Sequence, residues 1–196
     1  MAGLLNYGAA NSPVSQGAKQ QSKIANPELQ SIEDGIEAKV PPELKNKYNS
    51  IVVAGMRIMF DKSTSKYLED HLASSQDVVK TISTDIPKLL LLIYRESKID
   101  RSNDENQKVQ FIGAAMLAGR TLMCQALDYA EKTGRVQVTT EIIDQCTAAL
   151  SVSMPAAFGI TKEMMAKQVG VQGGAPDAQA ASQEPPMGQP APAQGV

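Results

Sequence analysis

A single histidine, two cysteines and the adjacent acids at residues 69–70 and 104–105 are the first candidates in this sequence for side chains that could support chemistry. His71 follows Glu69 and Asp70, but the chain has no second histidine to share a metal ion or extend an acid–base relay. An exposed or hydrogen-bonded structural histidine is the favoured interpretation. The other pair, Asp104 with Glu105, falls where a helix is predicted to begin and the helix dipole favours negative charge. We therefore predict no catalytic residue and no metal site.

The two cysteines, Cys124 and Cys146, lie within helical patterns and lack the C-x-x-C spacing of redox and zinc motifs. The opening segment MAGLLNYG is too short, and too polar in its sequel, for a secretory signal. Buried free thiols in a reducing cytosol are therefore favoured over a disulfide or a metal role.

Motifs for cofactors and nucleic acids are also missing from the sequence. It contains no GK[ST] phosphate loop and no G-x-S-x-G nucleophile elbow, and Gly113 and Gly119 fall inside a predicted helix. Its 19 Lys and Arg against 21 Asp and Glu give a formal net charge of −2, without a basic stripe. We expect no cofactor and no dedicated nucleic-acid site. The longest wholly apolar run, residues 89–93, is too short for a transmembrane segment.

The strongest structural pattern runs from Asn103 to Gly134 and predicts a long helix. Asn103 or Ser102 could cap its first amides, and Gly134 after Lys132 is typical of a helix end. At about 1.5 Å per residue this helix would be on the order of 45 Å long, so other helices should pack around it. Its predicted inward stripe is Val109, Ile112, Met116, Gly119, Met123, Leu127 and Ala130.

Shorter helices are predicted on both sides of the long one. The first begins at Asn26-Pro27 and ends at Pro41-Pro42, and the second runs from Pro42 to residue 60. A short helix follows the turn at residues 63–65 and contains Tyr67, Leu68 and Leu72. The inward positions predicted for the first two helices are Leu29, Ile32, Ile36, Leu44, Tyr48, Ile51, Val52, Met56 and Met59.

Prolines divide the remaining helical patterns. In residues 77–98, Pro87 predicts either one kinked helix or a second helix that begins with Thr84 or Asp85 as its cap. We favour the second helix, because proline in a helix interior costs about 3 kcal/mol. After an extended connector, a helix capped by Thr139 or Thr140 should end at Pro155, and a last helix should follow residue 161. The inward positions of the helix before Pro155 are Ile142, Ile143, Cys146, Ala149, Leu150 and Val152.

These patterns predict an all-α protein: a multi-helix bundle around one long central helix, with disordered arms at both ends. Residues 1–26 form the predicted flexible arm, residues 27–170 the helical domain, and residues 171–196 a disordered tail rich in Pro, Gln, Ala and Gly. The few apolar residues of the first arm could dock on a neighbouring subunit, but a plain disordered terminus is favoured.

Small residues on the long helix would allow another helix to approach closely. Because this helix is long for a domain of this size, we predict self-association through it. The alternative is a monomeric bundle, in which the helices around residues 89–93 and 142–152 complete the cover within one chain. The predicted helix–helix interface consists of Gly113, Ala114, Met116, Ala118, Gly119 and Met123.

Several segments resemble a family of small helical virion-associated proteins of tailed bacteriophages, mainly short-tailed ones. They are GMRIMF, DKSTSKYLEDHL, LLLLIYRES, ALDYAEKTG and FGITKEMM, and the resemblance covers about residues 50–168. It implies a structural, internal or ejected component of the particle. The family supplies no active-site residue.

Three functional classes follow from these observations. The favoured hypothesis is a non-enzymatic virion component that contacts other virion proteins, forms a homo-oligomer, and resides in the host cytoplasm during assembly and in the virion afterwards. The alternative is a cytosolic helical binding module or assembly chaperone that is not retained in the particle. An enzyme acting on the cell wall or on nucleic acid would need clustered carboxylates or a basic surface, which the sequence does not show.

Overall fold

The structure, a computed structural model, describes residues 24–60, 70–72, 74–75 and 77–160 of the chain. Within these ranges the regular structure is entirely helical. Short 3-10 turns at Pro42–Leu44 and Ile99–Arg101 lie before the second and fourth α-helices. The α-helices of the described ranges are α1 (Pro27–Ala38), α2 (Lys45–Phe60), α3 (Val78–Glu96), α4 (Glu105–Lys132) and α5 (Thr140–Ala157). The predicted all-α helical bundle is confirmed.

Helix α4 is 28 residues long, about 42 Å at the usual rise, and it packs against α1, α2, α3 and α5. The most extensive helix pair, however, is α3 with α5, and α3 also packs against α2. Two helices therefore share the role of connecting the others. The organisation of the bundle around one central helix stays a prediction.

Helix starts follow the capping chemistry of the sequence. The Asn26 side chain accepts hydrogen bonds from the backbone amides of Glu28 and Leu29 at 3.0 and 3.3 Å, and Pro27 occupies the first helical position, as predicted. For α4 the predicted cap is wrong by one or two residues. Asp104 takes this role, because its carboxylate accepts from two first-turn amides while Ser102 instead accepts from the Asp104 amide.

Pro87 does not separate two helices, contrary to our prediction, because α3 continues through it. Proline lacks an N–H, so the carbonyl of Ser83 loses its usual donor four residues later. The hydroxyl of Ser153 on α5 donates to this carbonyl over 2.8 Å. Asp77 caps α3, and Asp85 is not a cap. A hydrogen bond from the neighbouring helix thus satisfies the backbone group that Pro87 leaves open.

The buried face of α4 differs from the predicted stripe at its beginning. Val109 is 62% exposed, whereas Phe111 and Ala115 are buried. From Thr121 to Asp128 every residue is buried, because helices cover α4 on several sides there. A single stripe therefore describes only part of this helix. The predicted inward residues that are buried are Gly119, Met123, Leu127 and Ala130.

Helix α5 also passes its proline. Pro155 lies in the last turn instead of ending the helix, which continues to Ala157. Pro155 lacks the N–H that would normally donate to the carbonyl of Ser151, but Ser151 is exposed and its backbone can be hydrated. Val152, predicted to face inwards, is 61% exposed, and Met154 is buried instead.

The helical body begins before the predicted boundary at residue 27. Ile24 is buried, and the amides of Ala25 and Asn26 donate to Asp128 on α4 at 2.9 and 3.2 Å. Residues 24–26, assigned from sequence to the flexible arm, are therefore packed against the fold.

The rest of that arm, residues 1–23, the predicted tail and the helix after residue 161 lie outside the described residues. So do Tyr67 and Leu68 of the predicted short helix, whereas Leu72 is described and buried as expected. Among the described helices, none is both long enough and apolar enough to cross a membrane.

Candidate functional site

The predicted interface residues lie at contacts between helices of one chain. Ala114, Ala118, Gly119 and Met123 are buried. A Cβ added at Gly119 would lie 2.5 Å from Met154 Cε and 3.0 Å from Leu90 Cδ1. Helices α3 and α5 thus already cover this position within the chain. The remaining two of the six residues, Gly113 and Met116, are half-buried.

Self-association through these residues stays a prediction. The four buried positions offer no surface to a second copy in this conformation, which favours the alternative in which the helices complete the cover within one chain.

A second close approach, which was not predicted from the sequence, lies between α2 and α4. A Cβ at Gly55 would lie 2.6 Å from Leu122 Cδ1.

His71 is paired with a buried carboxylate. Its Nδ1 donates to Oδ2 of Asp85 over 2.8 Å, and Nζ of Lys88 lies 3.6 Å from Oδ1 of the same residue. The side chain of His71 is 45% exposed and that of Asp85 only 5%. His71 is therefore hydrogen-bonded and half exposed, as expected of a structural histidine. A histidine held by a carboxylate is oriented, but nucleophilic catalysis would also need a nucleophile within reach of the ring.

Both cysteines are free and fully buried, as predicted. Burial raises the pKa of the Cys124 thiol to about 12, and the negative charge of Glu33 adds to this rise. Burial likewise raises the pKa of Cys146 to about 11. Because the thiolate is the reactive form, both groups are inert while they are buried.

Sequence reasoning missed a buried polar cluster of Glu33, Tyr48, Thr121, Gln125 and Asp128, contributed by α1, α2 and α4. Nε2 of Gln125 donates to both carboxylate oxygens of Glu33, at 3.0 and 3.2 Å. The hydroxyls of Tyr48 and Thr121 share a hydrogen bond of 2.8 Å. Each of the five residues is less than 8% exposed. The cluster therefore joins three helices through groups that are costly to bury without partners.

Asp128 connects this cluster to the start of α1. Its Oδ1 accepts from the amides of Ala25 and Asn26, and its Oδ2 forms an ion pair with Lys132. Nδ2 of Asn26 also donates to Glu131 over 2.8 Å. These bonds fix the position of α1 along the C-terminal half of α4.

Burial raises the pKa of Glu33 above its ordinary value of 4.5. The hydrogen bond from Gln125 acts in the opposite direction, and the nearby carboxylates of Asp34, Glu37 and Asp128 raise the pKa further. Burial also raises the pKa of Tyr48. The docked position of α1 thus disfavours the charged form of Glu33.

A sequence signal for this cluster exists. Glu33 lies four residues after Leu29 and three before Ile36, so it occupies the middle of the predicted inward stripe of α1. Gln125 and Asp128 likewise fall between apolar residues of α4. A polar side chain at a position that helical spacing assigns to the core indicates a buried hydrogen-bonding partner elsewhere in the chain.

The cluster is suited to helix recognition. Groups of three or more His, Cys, Asp or Glu side chains that could hold a metal ion do not occur among the described residues. A carboxylate and an amide that meet within a buried helix contact are satisfied in only one register, so they can specify how the helices pair.

Comparison with other proteins provides no relative from which a function could be transferred. No family model, curated protein or solved structure matches the chain.

Proposed function

We propose that the protein is a non-enzymatic structural component of a bacteriophage particle that acts by helix-mediated assembly. It would be a minor component: an internal or ejected protein, or one associated with the head–tail junction. Its partners would be other virion proteins and further copies of itself, first in the host cytoplasm and then in the virion.

One observation carries the proposal: the side chains best able to do chemistry take part in helix packing. His71 is held by Asp85, Cys124 and Cys146 are buried, and Asp104 caps α4. The resemblance of segments such as GMRIMF and ALDYAEKTG to virion-associated proteins adds the location. These segments fall on α2 and α4, which pack against each other.

A cytosolic binding module or assembly chaperone is the second candidate. The feature that favours it is the way α1 docks. Its extensive contact within the described residues is with α4 alone, through a face that includes the buried Glu33. A partner helix of similar pattern could take that place for a limited time and then leave.

Quantitative mass spectrometry of purified particles distinguishes the two candidates. The particles would come from the phage that encodes the chain, with the major capsid protein as the internal standard and the infected-cell lysate as the reference. The proposal predicts a constant copy number per particle through successive gradients. Presence in the lysate with loss from the purified particles would reject it in favour of the chaperone.

An enzyme would be revealed by turnover of cell-wall or nucleic-acid substrates that disappears on His71→Ala. Such turnover by the purified chain would overturn the proposal. We expect none, because Asp85 orients His71 but nucleophilic catalysis would also need a nucleophile within reach of the ring.

A further inference from the structure

We infer that α1 can undock from α4 while α2 to α5 remain packed, and that Glu33 makes this release more favourable as the pH rises. This inference does not depend on the proposed function. It concerns a conformational device within the chain, and it would hold for a virion component and for a chaperone alike.

The contacts of α1 are the first support. Within the described residues its only extensive helix contact is with α4, whereas α3 packs against α2, α4 and α5. The apolar part of its buried face is small, with Leu29 and Ile36 buried and Ile32 half-buried. Losing such a face exposes far less apolar surface than losing any helix of the α3–α5 pair.

The position of Glu33 is the second support. It lies between Leu29 and Ile36 in the centre of the docked face and is 7% exposed. Its hydrogen-bonding partner, Gln125, is neutral. Among the described residues, docking therefore removes a carboxylate from water without an ion pair to a cation, and release returns it to water.

The ionisable groups around Glu33 act in the same direction. They are Asp34 and Glu37 of α1, Asp128 and Cys124 of α4, and Tyr48 of α2. Lys132 of α4 is paired with Asp128. The three carboxylates repel the charged form of Glu33. The Cys124 thiol and the Tyr48 phenol add no positive charge.

The direction of the pH effect follows from this arrangement. Burial holds the pKa of docked Glu33 above 4.5, so the docked state binds a proton more readily than the released state. The contribution of Glu33 to docking is complete below 4.5 and is lost as pH rises through its pKa in the docked state. Raising the pH over this interval can increase the released fraction by at most about tenfold per pH unit.

The two native cysteines provide matched reporters. Cys124 is close enough to Glu33 for the carboxylate to raise its pKa, and it is fully buried. Cys146 lies on α5, near Asp77 at the start of α3 and close enough to Cys124 to add to the rise of its pKa. Release of α1 should expose Cys124 and leave Cys146 covered. Global unfolding should expose both.

The experiment measures maleimide labelling of the full chain in Cys146→Ala, which retains Cys124, and in Cys124→Ala, which retains Cys146. At each pH, rates are compared only between variants measured at that same pH, since thiolate chemistry itself depends on pH. We expect Cys124 to label faster than global unfolding permits and Cys146 to label no faster than it. At pH 8, Glu33→Gln should slow Cys124 labelling severalfold. The matched change Glu43→Gln removes an exposed carboxylate that is not among the groups raising the pKa of Glu33, so it should not.

The difference between the parent protein and Glu33→Gln should disappear as the pH is lowered towards 4.5. A second variant, Asn26→Ala, removes the cap of α1 and the bond to Glu131, so it should speed Cys124 labelling and leave Cys146 unchanged. Equal labelling rates for both cysteines in the parent protein would overturn the inference. So would a Cys124 rate that is the same in Glu33→Gln and Glu43→Gln.

Discussion

Helix α4 makes two contacts of opposite character. Around Gly119 it meets Leu90 of α3 and Met154 of α5 so closely that a Cβ could not be added without displacing them. Around Gln125 it meets α1 through hydrogen bonds to the carboxylate of Glu33. The first contact is apolar and tight. The second is polar, and next to it Asp128 accepts hydrogen bonds from the backbone amides of Ala25 and Asn26, which precede α1.

We expect these two contacts to contribute differently to the stability of the fold and to the docking of α1. Apolar burial contributes about 25 cal/mol per Å², whereas a buried charge close to its partners contributes little net free energy. The contact at Gly119 should therefore contribute most to the free energy of unfolding. The contact at Glu33 should mainly determine where α1 docks and how readily it leaves.

The largest expected effect is at the apolar contact. Gly119→Leu should lower the free energy of unfolding by about 4 kcal/mol, because the new side chain must displace Met154 and Leu90. The matched control is Gly35→Leu on α1, where nothing lies within 4 Å of an added Cβ. Denaturant titration of both variants measures the difference.

Sedimentation of the same variants tests the predicted oligomer. The packing of Gly119 within one chain predicts a destabilised variant with an unchanged association state. A parent oligomer that dissociates in Gly119→Leu while its stability is kept would instead assign this position to an interface between copies.

The next effect concerns the beginning of the body. A chain that starts at Pro27 should be less stable than one that starts at Ile24 by about 3 kcal/mol, since it loses the burial of Ile24 and the cap from Asn26. Thermal unfolding of the two chains is the measurement. Equal midpoints would show that residues 24–26 contribute nothing to the docking of α1.

A smaller effect is expected where α5 supports α3. Ser153→Ala should cost about 1 to 2 kcal/mol, because the carbonyl of Ser83 loses the donor that replaces the missing amide of Pro87. The control Ser151→Ala removes an exposed hydroxyl and should be close to neutral. In a Pro87→Ala background the carbonyl regains a backbone donor, so the cost of Ser153→Ala should shrink. An equal cost in both backgrounds would contradict this explanation.

The smallest effect is at the polar contact. Glu33→Gln should raise the free energy of unfolding at pH 8 by about 1 kcal/mol, since the amide can still accept from Gln125 and carries no charge. As the pH falls through the raised pKa of Glu33 towards 4.5, the parent becomes neutral too and the two curves should converge. Glu43→Gln, which removes an exposed carboxylate that is not among the groups raising the pKa of Glu33, provides the control. A gap that widens on acidification would contradict the assigned direction.

The helices themselves could be predicted from local patterns. The cap at Asn26-Pro27 and the exit at Gly134, whose φ is 68°, are local chemistry and are found as expected. The continuity of α3 could not be predicted this way. It depends on Ser153, which is 70 residues away from the carbonyl that it satisfies.

The polar contact was hidden for the same reason. Glu33 and Gln125 are 92 residues apart, and each alone resembles an ordinary surface residue of a helix. Helical periodicity shows only that Glu33 falls among inward positions. The exposure of Val109 reflects a further limit, because the face that a long helix buries depends on where its neighbours end.

We expect α4 to hold α3 and α5 firmly and α1 loosely. Native-state hydrogen exchange of the full chain, resolved by residue, tests it most directly. We expect amides of α1 such as Glu33 and Ile36 to exchange through an opening of lower free energy than the amides of Leu90 and Leu150. We expect Glu33→Gln to raise the opening free energy of the α1 amides only. Exchange of the α1, α3 and α5 amides through one common opening, with a free energy that Glu33→Gln does not change, would contradict this expectation.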